Sequence, residues 1–83
     1  MAGQKLLQLN ISRVNGPVFE GEVASVSVPG VDGDMTILAN HEALISPLRT
    51  GVVVVTKMDG EVETHEILSG TLEISDNTAT VLI

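Results

Sequence analysis

The sequence has no cysteine, no tryptophan and no tyrosine. Without cysteine there is no disulfide, no thiolate metal ligand and no cysteine nucleophile, and the chain suits a reducing compartment. Phe19 is its one aromatic residue, which removes the stacking platforms that single-stranded nucleic acid binding uses. Positive charge is nearly as scarce. Four Lys+Arg stand against eleven Asp+Glu, for a formal net charge of −7 and a pI near 4.4. A nucleic acid backbone is therefore excluded as a partner, because binding it depends on cationic groups that displace its counterions. No apolar run reaches the roughly eighteen residues of a membrane-spanning helix, and the first residues show no apolar core of a secretory signal.

What the sequence does have is aliphatic. Twelve Val, nine Leu and six Ile supply most of an apolar content of 43%, which is ordinary for a folded domain. Residues 1–83 read as one small domain, with no linker, low-complexity segment or internal repeat. A chain of this size buries only about 60% of the surface it exposes when unfolded. The expected core is thin and aliphatic, which favours work beside a larger partner.

The dominant hydrophobic period is two. Leu7, Leu9 and Ile11 alternate with Gln8, Asn10 and Ser12, the pattern of a half-buried strand, and Asn15-Gly16-Pro17 ends it with turn chemistry. A short strand follows around Val18–Glu22. Ala24, Val26 and Val28 then alternate with Val23, Ser25 and Ser27 as far as Pro29-Gly30, where a loop over 29–34 begins. Met35–Leu38 is extended, and Ala39-Asn40-His41-Glu42 is a second loop. Ala43–Leu48, interrupted by Pro47, reads as an edge strand or a bend. Val52–Val55 reads as a central strand buried on both faces. Asp59-Gly60 makes a hairpin turn into Val62–Leu68. Leu72 and Ile74 resume the alternation, and Asp76-Asn77 turns into Thr78–Ile83, with Ala79, Val81 and Ile83 on one face. No helical stripe is present. Eight to ten short, closely spaced strands predict an all-β sandwich or flattened barrel.

Residues with chemical potential are few. His41 and His65 are the only imidazoles, and a zinc site needs three or four ligands. His41 with Glu42, or His65 with Glu63 and Glu66, would make a fragment of one. On a strand, Glu63 and His65 share a face and Glu66 points away. Exposed, solvated side chains are the simpler reading of both histidines. Asp32-Gly33-Asp34 is a turn and not a calcium loop, since Ala43 stands where the twelfth-position Glu would be needed. The glycines form no nucleotide-binding pattern. Two features suit a contact surface. One is the acidic hairpin carrying Asp59, Glu61, Glu63 and Glu66, which also serves edge protection. The other is the loop Ala39–Ile45, a polar tip on an apolar base; it reads equally as a plain strand connection.

Several motifs, in order, carry a resemblance. Val18-Phe19-Glu20-Gly21-Glu22-Val23 is similar to a Phe-x-Gly-x-Val opening. Val26 to Leu38 follows as strand, Gly-rich turn and strand. His41 falls at a loop histidine of a Pro-Gly-His-Ala-Pro-Leu pattern. Leu48-Arg49-Thr50-Gly51-Val52-Val53 is similar to Leu-Lys-Pro-Gly-x-Val, Leu68 to Ile74 to x-Ser-Gly-Gly-x-x-Glu-Val, and Asn77 to Leu82 to Asn-x-Val-Thr-Val-Leu. Together they resemble the epsilon subunit of rotary proton-translocating ATP synthases, from about residue 6 to 83. The chain departs from the pattern at Ala39-Asn40 and Glu42-Ala43 around the histidine. Thr36 and Thr71 stand where glycine is usual, so those two backbones either avoid or tolerate positive φ.

The resemblance implies a ten-stranded flattened β-sandwich or barrel. It implies a non-catalytic rotor subunit of the central stalk, with no cofactor of its own, that couples the gamma subunit to the membrane ring of c subunits. By position, Asp34, Asn40, His41, Glu42 and Ala43 would face polar Arg- or Gln-bearing loops of the ring. One sheet face would pack on gamma, its exposed apolar residues forming the energetic centre. The expected location is the cytoplasmic face of the bacterial inner membrane, peripheral and held through the complex. The family usually carries a C-terminal helical hairpin that restrains ATP hydrolysis; this sequence shows none, so the chain alone is expected neither to inhibit nor to bind nucleotide. A stand-alone β-sandwich adaptor and a small β-barrel hydrolase are the alternatives.

Overall fold

The computed structural model describes residues 5–83. Its nine strands are β1 Leu7–Arg13, β2 Gly16–Val23, β3 Ser25–Gly30, β4 Gly33–Leu38, β5 Leu44–Leu48, β6 Gly51–Thr56, β7 Val62–Ile67, β8 Gly70–Ser75 and β9 Thr78–Leu82. No helix forms among the described residues. The all-β sandwich expectation holds, with one strand fewer than the ten that the resemblance implied.

Pairing runs β2-β1-β9-β8-β5-β3-β6-β7, with β4 on the free side of β3. Only β1 and β9 are parallel. The sheet folds on itself at Leu48, which pairs with both Gly70 of β8 and Gly30 of β3. Ala43–Leu48 is thus both an edge and a bend: Leu44–Pro47 pair with β8 alone, and Leu48 joins the two layers. Pro47 tolerates that position because its carbonyl accepts the Val31 amide at 3.2 Å and no donor is asked of it.

Period-two burial fills the space between the layers. Leu7, Leu9, Ile11, Leu72, Ile74, Ala79 and Val81 from one layer meet Val26, Val28, Ile37, Val53 and Val55 from the other. Phe19 and Met35 pack at the margin. Val23 is buried as the last residue of β2, so the alternation assigned to 23–28 is split by a bend at Ala24. The run Val52–Val55 is not buried on both faces. Val53 and Val55 are in the core, whereas Val52 is exposed and Val54 half-buried. An antiparallel sandwich leaves the outer face of each layer to solvent, and four valines in a row do not change that. Thr36 and Thr71 adopt no positive φ: each pairs in a regular ladder, Thr36 with Ser27 and Thr71 with Pro47, so glycine is not needed at either.

Candidate interaction surface

The five candidate contact residues lie on and beside β4, an edge strand that pairs only with β3. Asp34 sits at its start and Asn40–Ala43 beyond its end, separated by about 13 Å of strand. The structure therefore does not gather them into one cluster. They bracket a strip whose outward residues between them are Thr36 and Leu38, both exposed. Behind the start of the strip, a groove of about 340 Å³ separates Asp34 and Met35 from Leu44–Pro47 of β5.

Asp34 is not a free acid. Its Oδ1 accepts a 2.6 Å charge-assisted hydrogen bond from Arg49 Nη2, with the side chains 71% and 49% exposed. The Arg49 amide donates in turn to the Pro29 carbonyl at 2.9 Å, which fixes the base of the guanidinium arm at the fold between the layers.

At the other end of the strip, Asn40 takes a left-handed backbone, φ 64°, a conformation that Asn accepts more readily than other side chains. Its N–H donates to Asn77 Oδ1 at 2.7 Å. His41 Nδ1 lies 2.8 Å from the Glu42 carbonyl. A carbonyl only accepts, so Nδ1 carries a proton in this contact and Nε2 is left to a partner. Glu42 and Ala43 are exposed. The loop thus presents the Glu42 carboxylate and the His41 Nε2 edge, groups suited to hydrogen bonding with polar side chains of a partner.

Asn77 is the residue that sequence reading missed. The Asp76-Asn77 turn was legible, and with φ of 50° and 57° between paired Ser75 and Thr78 it is the two-residue turn that fits the twist of a hairpin. Its reach was not legible. Asn77 Nδ2 donates to the Leu6 carbonyl at 2.9 Å, and its own carbonyl accepts from Gln8 N at 3.1 Å. One side chain ties the start of β1, the β8–β9 turn and the loop 39–43.

The acidic hairpin lies at this same end, since Thr56 pairs with Ser25 and Ser25 with Leu38. Its charges are partly offset. Lys57 Nζ lies 3.1 Å from Glu63 Oε1, and His65 Nε2 2.7 Å from Glu63 Oε2. The hydrogen bond from Lys57, followed by that from His65, holds the Glu63 carboxyl below its usual range, and the contact with Glu63 raises Lys57. His65 is not the exposed residue expected: its side chain is 16% exposed, opposite buried Val53, while Glu63 lies opposite buried Val55. Both face inward on an edge strand, where charge discourages pairing with another chain. Thr64, the only hydroxyl on that strand, alternates to the outer face. A hydrolase would need a nucleophile beside this pair, and the strand places none there. Among the described residues no group of three or more His, Asp or Glu is placed to hold a metal ion.

The two outer faces differ in charge. Across β2, β1, β9, β8 and β5 the row Glu20, Asn10, Thr80, Glu73, Ile45 carries two carboxylates, with Glu22 beside Gln8 in the next row. Across β4, β3, β6 and β7 the rows read Leu38, Ser25, Thr56, Val62 and Thr36, Ser27, Val54, Thr64. That second face holds no charge in these two rows; the next brings Glu66 beside Val52 and Asp34 beside Pro29.

Comparison with known proteins follows the same strands. The family "ATP synthase, Delta/Epsilon chain, beta-sandwich domain" matches residues 6–83. The chain belongs to this family. It is 34% identical over 79 residues to the ATP synthase epsilon chain of Sulfurovum sp., covering 95% of this chain and 62% of that one. It is 38% identical over 77 residues to the epsilon chain of Nitratiruptor sp., covering 93% and 60%. The chain therefore spans about three-fifths of the length of these curated relatives. Its fold is similar to a chain in the Euglena gracilis mitochondrial ATP synthase OSCP/F1/c-ring structure, with TM-score 0.85 at 22% identity over 99% of this chain and 54% of that one. It is also similar to a chain in the Tetrahymena thermophila mitochondrial ATP synthase central stalk/c-ring structure, with TM-score 0.76 at 11% identity over 96% and 63%.

Proposed function

We propose that this chain is a non-catalytic rotor subunit of the central stalk of a proton-translocating ATP synthase, coupling the gamma subunit to the c ring. The observation that carries the reading is its membership of the delta/epsilon β-sandwich family across residues 6–83. The fold shared with chains of ATP synthase c-ring assemblies supports it. So does the contrast between the two outer faces. The face of β3, β6 and β7, with exposed Val52 and Val62, suits gamma, because an interface core is depleted of charge. The strip from Asp34 to Ala43 suits the polar loops of the ring, with Asp34, Asn40, His41, Glu42 and Ala43 as its contacts. The subunit would be peripheral, at the cytoplasmic face of a bacterial inner membrane; no helix of the described residues is long and apolar enough to cross a membrane.

The mechanism is mechanical. Ring rotation is passed to the stalk through a body that must not yield, and a continuous sheet folded around an aliphatic core is stiff because such interiors are close-packed. The test is calorimetry and co-elution with the gamma subunit of the same complex. One-to-one binding with a negative heat-capacity change is the expected result. Absence of binding at tens of micromolar, with the domain folded by NMR, would overturn the reading and put the adaptor first.

A further inference from the structure

We propose that Asn77, which lies outside the contact strip, is the positioning residue that holds loop 39–43 in the conformation presented to the partner. The inference rests on the stalk reading above and concerns the same strip. The loop has little internal support. Among its described hydrogen bonds, the His41–Glu42 contact at 2.8 Å joins neighbours in sequence, and the bond that anchors the loop to the body is Asn40 N–H to Asn77 Oδ1 at 2.7 Å. Asn40 is itself left-handed, φ 64°, a backbone state that needs surrounding contacts to persist.

The amide orientation of Asn77 is fixed by its partners: the Asn40 N–H only donates and the Leu6 carbonyl only accepts. The base of the clamp is rigid as well. Asn77 closes a two-residue turn between paired Ser75 and Thr78, next to the buried side chains of Ile74 and Ala79. The orientation of His41 and Glu42 is thus referred to the β8–β9 hairpin, thirty-seven residues away in sequence from Asn40.

The two bonds of the side chain can be separated. Asn77→Gly keeps the left-handed turn and removes both. Asn77→Asp keeps an acceptor for Asn40 N–H and loses the donor to Leu6. Two readouts are needed: amide exchange of Asn40 by NMR in the 83-residue chain, and recovery of ATP-driven proton pumping when the chain is added back to its own complex depleted of it. We expect Asn77→Gly to speed Asn40 exchange roughly three- to tenfold, the worth of one net hydrogen bond, with Leu9 and Val81 less affected, and to raise the concentration for half-maximal recovery several-fold. Asn77→Asp should leave both near wild type even where it lowers stability, a result that by itself supports the inference should the glycine variant fail to fold. Unchanged Asn40 exchange in Asn77→Gly would overturn the inference. Equal loss of recovery in both variants would also overturn it, since the effect would then pass through β1. A wild-type chain that restores no pumping would instead remove the stalk reading.

Discussion

At the fold between the layers the backbone packs directly against itself, whereas at the opposite end it is held by side-chain amides. A Cβ on Gly70 would lie 2.5 Å from the Leu82 carbonyl oxygen, and one on Gly30 2.6 Å from that of Gly33. At the far end, Asn40, Asp76 and Asn77 all take positive φ, and the Asn77 side chain bridges two segments. The charged residue of the strip at the fold, Asp34, needs only a solvent-exposed partner, Arg49, because the backbone beneath it is already fixed. The loop at the far end has no such bed and depends on one amide. Two contact elements on one edge strand are therefore stiffened by different means, steric at one end and directional at the other.

The core between the ends sets the scale for any test of that difference. Leu72→Ala, at a fully buried position, should cost about 2–5 kcal/mol, read in urea unfolding, and should speed amide exchange at both ends alike. A loss confined to one end would mean that the ends fold separately. Gly70→Ala comes next. Its new Cβ meets first the Leu82 backbone oxygen, at 2.5 Å, and then Ile83 Cγ2, at 3.0 Å, so an overpacking cost of about 1–3 kcal/mol is expected, with exchange accelerated around Leu48 and Leu82 and little changed at Asn40. A neutral result would show that the close approach relaxes without strain. Asn77→Ala should do the reverse. It loses two hydrogen bonds and forces an alanine to φ near 57°, at about 1–2 kcal/mol for the backbone alone. It should therefore be less stable than Asn77→Gly by thermal melting, and equal stability of the two would remove the backbone part of the argument.

Much of this was legible in the sequence, and the exceptions share a cause. Period-two alternation found β1, β8 and β9 with their buried sets because that period is local. The motifs from Val18 to Leu82 pointed to the family for the same reason: each is short and ordered along the chain. Pro47 marked an edge or a bend, and β5 is both, paired along its length with β8 and with β3 at Leu48 alone. Two features depend on contacts distant in sequence and were not readable. His65 looked solvated, but its strand turns it inward beside Glu63. The Asp76-Asn77 turn was evident from composition, yet nothing local says that its amide reaches Leu6 and Asn40. The candidate contact residues were legible only as a list along the chain; their division between two ends of β4 follows from the strand's length and register.

The smallest effects belong to the charged pairs, and they sharpen the contrast by failing to match the amide clamp. Arg49→Ala should cost at most about 1 kcal/mol, as exposed ion pairs do, with the loss shrinking as salt is raised. A double-mutant cycle with Asp34→Ala isolates the coupling, and a coupling larger than the effect of Asn77→Gly would reverse the ranking of the two ends. At the far end, Glu63 adds a pH signature. Its folded carboxyl is held below the ordinary value of 4.5 by Lys57 first and His65 second, so the folded state binds that proton less readily than the unfolded state. Its contribution is present in full above the unfolded value and is lost as pH falls through the lower folded one. Lys57 is shifted upward from 10.5, so its share is present below that value and fades only as pH rises beyond it. Between the two the pair should give a flat stability profile. Lys57→Met should reduce the acid-side loss without altering the neutral plateau by more than a surface pair is worth, because both groups are well solvated. An acid limb identical in Lys57→Met and wild type would mean that other carboxylates, and not this pair, set the acid stability of the hairpin end.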